Sequence, residues 1–465
     1  MTGLLIRGAE VAGRPGVDVL VEGERIVAVG AELPTVGHTV VDADGGALLP
    51  GLHDHHLHLH ALAADADSVR CGPPHVRDGA ALAAALATAP GDGWIRGVGY
   101  VETVAGELDS AGLDALCRDR PVRVQHRSGA VWILNSAAAA LVGLDSAVHP
   151  GVERDHHGRA TGRVWRADTW LRSRLPETGP PDLTAIGDEL ARYGITGITD
   201  ATPDLSETSL AALLAAAASR AIPQRLNLLG VALDAAVEPV SGVTVGAYKI
   251  VLADSGLPDI DALIATVARA HAADRPVAVH CVSREALLIL LAVFAETGNV
   301  PGDRIEHGAL IPVETLGTLR GLGLRVVTQP GFVAHRGDDY LQRVDAADLG
   351  DLYRCRSLCD AGIGLALSSD APYGPLDPWR VIAAAADRRA PDGRRVGPAE
   401  RITTRAALDL YLAPLDDPGA APRVVGRGAR ADLVLLDRSV ADQCAAPTAG
   451  AVRATVIGGR VAYAR

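Results

Sequence analysis

The chain opens and closes on alternating apolar and polar positions and keeps a different rhythm between. Near the start, Val17-Asp18-Val19-Leu20-Val21 and Arg25-Ile26-Val27-Ala28-Val29 alternate like half-buried strands, with Glu22-Gly23-Glu24 as the turn between them. Near the end, residues 432–436 and 453–457 do the same, and Gly458-Gly459 follows as a turn. Neither end shows a helical period. Residues 1–50 and 425–465 are therefore expected to build one small β-sandwich domain from both termini.

Over residues 51–424 short apolar strands alternate with Ala/Leu-rich helices. One strand leads into Gly51, and others lie at 194–199, 225–229, 245–251, 276–279, 304–305, 324–327 and 363–367. Strand–helix units in that number read as an α/β fold, a closed if distorted (β/α)8 TIM barrel. An open doubly wound sheet would want a glycine-rich phosphate turn after an early strand, and none is present. Residues from about 65 to 180 do not follow the alternation. They are expected to form an insertion after the first barrel strand, covering its mouth.

Charge narrows the partners. Lys+Arg number 44 against 56 Asp+Glu, and no basic block or aromatic-interleaved patch marks a nucleic-acid surface. The N-terminus lacks a basic region followed by a long apolar stretch, and apolar runs such as 210–218 are too short to span a bilayer. The six cysteines form no framework pattern, and Cys355 and Cys359 sit four apart within an expected helix, as packing residues do. A reduced, cytoplasmic protein without membrane or nucleic-acid partners is expected. Oligomeric state stays open, with a homodimer as the candidate.

Lys249 is the only lysine among those 44 basic residues. Surface positions accept either basic residue, but a step that needs a primary amine does not. Chance survival is the bland explanation. Against it, Val245-Gly246-Ala247-Tyr248-Lys249-Ile250-Val251 is an apolar run where a cationic head is awkward to bury.

Barrels keep their chemistry at strand ends, and here four strand ends finish in metal-ligand types. The first closes with Asp54-His55-His56-Leu57-His58, where His56 and His58, two apart, share a face with Asp54 below them. Others end in His280, in Glu306-His307 and in Ser368-Ser369-Asp370. One histidine after a strand is most often structural; four such ends are hard to explain that way. The alternative register pairs His58 with His60. His53, His55 and Cys281 face away from the axis if their strands stay regular, as packing or supporting residues.

With these motifs the chain resembles the metal-dependent amidohydrolase superfamily, closest to the branch of N-substituted formamide deformylase and exoenzyme-regulator-like amidohydrolases. The resemblance covers almost the whole chain. It rests on Pro50-Gly51-Leu52-His53-Asp54-His55-His56-Leu57-His58, the Lys249 strand, His280, Arg304-Ile305-Glu306-His307, Gln329-Pro330, Ser369-Asp370-Ala371-Pro372 and Gly428-Ala429-Arg430-Ala431-Asp432-Leu433-Val434. It implies that His56 and His58 bind the more buried of two divalent metal ions, and His280 and His307 the more exposed one. Asp370 binds the buried ion and acts as general base and acid. Lys249, as its carbon dioxide adduct (a carbamate), bridges the pair. The implied catalytic residues are thus Asp370, Lys249 and His307. Imidazole-rich ligation favours zinc, with manganese or iron as alternatives. The implied reaction is hydrolysis of the C–N bond of a small-molecule amide, an N-acyl or N-formyl amine, through a metal-bridging hydroxide.

The resemblance weakens at three places. Ala130 stands where relatives carry histidine in the motif at 121–136, Arg284 where an acidic residue follows His280, and the loop at 253–258 is short. Substrate contacts are therefore read from position alone. Trp165, Arg166, His126, Arg127, His335, Arg336 and Tyr373 lie on the insertion or on loops at the metal end, and an arginine there suits a substrate carboxylate. Each is more readily surface or scaffold. The rival activities are cyclic-amide hydrolysis and amino-heterocycle deamination; family deaminases commonly use one metal and no bridging lysine. A non-catalytic scaffold is the third reading, disfavoured because all six ligand positions are filled.

Overall fold

The alternation at the two chain ends folds into two four-stranded sheets. In the first, Arg25–Gly30, Arg14–Glu22 and Gly3–Val11 run antiparallel, and His38–Asp42 joins Gly3–Val11 in parallel. In the second, Arg460–Ala464, Val452–Ile457, Leu433–Leu436 and Leu48–Pro50 are antiparallel in that order. Residues two apart, Leu4 and Ile6, Val19 and Val21, Leu433 and Leu435, Ala454 and Val456, enter one apolar cluster that both sheets share. Each aliphatic side chain of that size contributes roughly 1.5–3 kcal/mol by burial. Ile26 N–H to Ala429 O and Ala431 N–H to Glu24 O, 2.9 Å each, tie the two chain ends together.

This computed structural model describes residues 3–176, 179–252 and 259–465; the loop expected to be short, at 253–258, lies outside them. Met1–Leu59 with Asp182–Arg465 forms one compact unit and His60–Pro181 another.

In the first unit the central strands are parallel, as expected, but the ladder is not closed into one barrel. Val243–Val245, Arg225–Leu228, Ile195–Asp200 and Leu52–Leu57 make one sheet. Tyr248–Val251, Val277–Cys281, Arg304–His307, Arg325–Thr328 and Leu365–Leu367 make a second. The expected strand at 245–251 is the break: it is split at Gly246-Ala247. A Cβ on Gly246 would lie 2.5 Å from Asn227 Oδ1, so only glycine admits the close approach. Gly246 N–H and Lys249 N–H still donate to Leu228 O and Leu229 O, at 2.9 and 3.1 Å. At the other seam Asp370 N–H donates to His56 O at 2.8 Å and His58 N–H to Ala371 O at 2.9 Å. Each gap is thus crossed by a pair of backbone hydrogen bonds rather than by a ladder.

Four of the helices that follow these strands start on side-chain caps. Asp259, Ser283, Asp377 and Thr403 each accept a backbone N–H from the first turn of Ile260–Ala272, Arg284–Thr297, Pro378–Asp387 and Thr404–Tyr411. Leu263, Val267 and Ala270, or Leu287, Leu290 and Val293, recur at helical spacing and are buried. Cys355 caps the short helix Arg356–Asp360 rather than lying inside it, and all six cysteines are free thiols. Among the described residues no helix is long and apolar enough to cross a membrane.

The second unit has its own architecture, which alternation had not revealed. Its six-stranded sheet runs Val152–Arg154, Ala160–Trp165, Val131–Leu134, Val122–His126, Ile95–Tyr100, Val69–Arg70, antiparallel at the first end and parallel at the last. Helices Gly79–Ala87 and Ser110–Leu116 pack on it through Leu82, Leu86 and Leu113.

Candidate metal centre

Register sets which side chains can meet. Lys249 pairs with Ala278 and Ala278 with Arg304, while His280 pairs with Glu306. Residues paired in register, or two apart on a strand, share a face, so Lys249, His280, Arg304 and Glu306 lie on the same side. By the same rule His307, paired with Cys281, belongs on the opposite side. It does not stay there. His307 has φ 70°, a left-handed value that an L-residue adopts only at a cost. Its ring instead lies 4.4 Å from that of His280 and 4.6 Å from that of His56, centroid to centroid. Asp370, at the last strand's end, has φ 54° and is likewise turned out of extended geometry.

The three residues whose ligand atoms lie within 4.8 Å of one another are His56, His58 and Asp370. Asp370 Oδ1 is 3.6 Å from His56 Nε2 and 3.3 Å from His58 Nε2, and its Oδ2 is 3.7 Å from His307 Nδ1. His60, the alternative register partner, is not in that group. Each of the three imidazoles turns Nδ1 to the protein. His56 Nδ1–H donates to Glu306, His307 Nδ1–H to Gln329 Oε1 at 3.0 Å, and His58 Nδ1 shares a 3.3 Å bond with Thr202 Oγ1. Nε2 of His56 is therefore the lone-pair nitrogen offered to Asp370's side of the site, while the Thr202 hydroxyl can donate to or accept from His58 Nδ1 and leaves that tautomer open.

Electrostatics suits a cation. Burial pushes the His56 and His307 imidazoles well below their ordinary value, which keeps them neutral. Burial raises the Asp370 carboxyl, but His307, His58 and His56 around it pull harder, so it is held well below the usual carboxylate range. Neutral imidazole and ionised carboxylate are the forms that bind metal. Lys249 is 4% exposed, and burial, opposed by Glu306 and Asp370, holds its amine below the ordinary lysine range. His56 Nε2, Asp370 Oδ1 and Lys249 Nζ are all buried without a hydrogen-bond partner. Unpartnered buried polar atoms are costly, and a divalent ion with an acidic adduct on the amine satisfies all three. The residues present fit the implied groups.

Other expectations meet the structure unevenly. Asp54 is not among the ligand group; it accepts N–H from His56 at 3.1 Å and from Ser369 at 3.2 Å, and acts as a clamp. The Leu52–Leu57 strand is not regular, since its register with Ile195–Asp200 shifts twice, so alternation cannot place His53 and His55. His53 Nδ1–H donates to Ala413 O at 2.9 Å, and a Cβ on Gly197 would lie 2.6 Å from its ring, which explains glycine there. His55 is buried, within electrostatic reach of Arg304, Arg423 and Glu306. Of the substrate candidates, Tyr373 packs its ring 5.7 Å from that of His58, and Arg336 donates to Tyr373 O at 2.7 Å. His335 is exposed on helix Gly331–Arg343. Trp165, Arg166, His126 and Arg127 belong to the second unit. There Trp165 donates to Glu153 at 2.8 Å and His126 bonds Ser128 Oγ at 2.7 Å.

Sequence reasoning missed the supports: Glu306, Thr202 and Gln329. Glu306 and Gln329 stood inside quoted motifs, but nothing local says which histidine each will meet.

The model of the amidohydrolase family matches residues 39–463. N-substituted formamide deformylase of Arthrobacter pascens is 25% identical over 494 residues, covering 91% of this chain and 90% of its own. An uncharacterized metal-dependent hydrolase from Pyrococcus horikoshii OT3 superposes with a TM-score of 0.77 at 20% identity, over 94% of this chain and 98% of that one. A second, from Pyrococcus furiosus, gives 0.70 at 22% identity over the same shares.

Proposed function

Since the chain belongs to the amidohydrolase family and is a metal-dependent hydrolase of C–N bonds, we propose that it hydrolyses the amide bond of an N-acyl or N-formyl amine. The observation that carries this reading is the meeting of buried His56 and Asp370 with half-buried His58 within 4.8 Å, close to Lys249. His56, His58 and Asp370 would hold one divalent ion, His280 and His307 a second, with zinc the best match to imidazole donors. Lys249 would join the two through a carbamate, formed when its neutral amine adds to carbon dioxide and releases one proton; arginine cannot form it.

Bound divalent metal supplies Lewis acidity, polarising the substrate carbonyl and making water a nucleophile near neutral pH. Asp370 does the proton work. Its carboxylate, ionised and with Oδ1 unpaired, takes a proton from the attacking water and returns it to the departing nitrogen. Backbone bonding of Asp370 N–H to His56 O fixes the carboxylate against the two imidazoles, so the base sits beside the ligand pair at no cost in reorganisation. Tyr373 beside His58 closes one side of the site, and Arg336 holds it there by its carbonyl. The fold that carries this site is proposed as a distorted (β/α)8 barrel with a terminal β-sandwich. The two parallel arcs, their bonded seams and the shared terminal cluster support it.

The test is release of free amine from a panel of N-formyl and N-acetyl amines by metal-loaded protein, against cyclic amides and aminoheterocycles. Amine release from the linear amides supports the proposal. Ammonia from an aminoheterocycle, with linear amides untouched, replaces it with deamination.

A further inference from the structure

The interior carries an ion pair that the reaction does not need for proton transfer. Arg304 is 3% exposed and Glu306 0%, and Arg304 Nε–H donates to Glu306 Oε1 at 2.6 Å. The other oxygen, Oε2, accepts Nδ1–H of His56, which is 0% exposed. A buried pair of this kind is weak ground for stability, since desolvating each ion costs several kcal/mol. Here the satisfaction is incomplete as well: Arg304 Nη2 is buried with no hydrogen-bond partner. Apolar residues of equal volume would fill the space at lower cost. The pair is placed so that one oxygen belongs to the arginine and the other to a histidine of the metal cluster.

We propose that Glu306 and Arg304 are positioning residues for metal capture. Glu306 selects the Nδ1–H tautomer of His56 and fixes its ring plane, and Arg304 pins the rotamer of Glu306. The consequence is that Nε2 of His56 stays a lone-pair donor 3.6 Å from Asp370 Oδ1 before any ion arrives. Without Glu306 the ring would be free to rotate and to protonate at either nitrogen, and part of the population would present N–H to the cation. Geometry explains why the strand needs both residues. Arg304 and Glu306 are two apart and share a face, so the arginine reaches its partner along the strand without leaving the sheet. His307, next in sequence, reaches the same cluster only through its φ of 70°. The single strand Arg304–His307 thus delivers a pin, a carboxylate and a ligand to one site.

This inference rests on the metal-dependent reading of the site, and the test separates the two. Metal-stripped protein is titrated with cobalt(II), with the visible d–d absorption as readout, for wild type, Glu306→Ala, Glu306→Gln and Arg304→Met. Cobalt affinity is expected to fall about 10–100-fold in Glu306→Ala, the range for removing a partner of a metal-bound histidine. Glu306→Gln keeps an oxygen acceptor and recovers part of the loss, and Arg304→Met falls between them. A folded Glu306→Ala with wild-type affinity and spectrum overturns the proposal. A second readout does not depend on variants of Glu306 folding: the imidazole nitrogen chemical shifts of His56 in metal-free wild type, assigned by their loss in His56→Gln. Nδ1–H supports the proposal and Nε2–H overturns it. A wild type that binds no cobalt sinks the metal-dependent reading, while the tautomer result still decides the role of Glu306.

Discussion

Both carboxylate oxygens of Asp54 accept the backbone N–H of Ser369, at 3.2 Å each, across 315 residues of chain. Oδ1 also accepts the N–H of His56 at 3.1 Å. One buried side chain therefore fastens the strand carrying the histidines to the strand end carrying Asp370, at a seam where no ladder forms. Asp54→Ala leaves two buried N–H groups unpaired, at about 1–3 kcal/mol each. Denaturant unfolding of the metal-free variant is expected to show a loss of about 2–6 kcal/mol. An unchanged midpoint would mean that the seam does not depend on Asp54.

Acid sensitivity follows from the buried imidazoles. Burial pushes His55 down to about 3, and holds His53, His56 and His307 well below their ordinary value. Below about pH 6.5 the unfolded chain takes protons that the folded one refuses, so their contribution is present above that pH and lost on acidification. Asp54 opposes them: burial raises it to about 7, so its contribution is lost as pH rises from about 4 towards 7. Four imidazoles outweigh one carboxyl. Metal-free protein is expected to be more stable at pH 7 than at pH 5. In His55→Leu that difference shrinks, by about 1.4 kcal/mol per pH unit below about pH 6.5. Equal stability at both pH values would contradict the burial of neutral histidines.

Asp370→Asn keeps size and polarity but not basicity. Amide hydrolysis is expected to drop about 10²–10⁴-fold in kcat, with the unfolding transition retained. Normal turnover in that variant would remove Asp370 from proton transfer.

Gly246→Ala tests the split strand. Its Cβ would press on Asn227 Oδ1, and the strain is expected to cost about 1–3 kcal/mol. Because Lys249 follows three residues on, metal content should fall with it. A variant with wild-type stability and metal content would show that the Lys249 strand tolerates displacement.

Much of this was legible in the chain. Alternation at residues 17–29 announces strands because one face lies on a shared core, whereas Leu433–Leu436 and Val452–Ile457 are buried on nearly every side chain and read as strands from their apolar run. His56, His58 and Asp370 stood out because ligand types at strand ends have few other reasons to recur, and the structure brings those three together. What stayed hidden depends on long-range geometry. That Glu306 meets His56, 250 residues away, has no local signal. Neither has the φ of His307, since alternation assigns it to the wrong face. The break at Gly246 is set by a neighbour, Asn227, and not by its own segment. The second unit's sheet was missed because Val69–Arg70 and Val152–Arg154 are too short to show a period.

The central claim is a two-ion site that depends on Lys249. Metal content per chain, by elemental analysis of protein purified without chelator or added metal, tests it most directly against Lys249→Ala. The account predicts two ions per wild-type chain and a sharp fall in the variant. Equal metal content in the two proteins, or a wild-type chain that cannot be loaded, would contradict it.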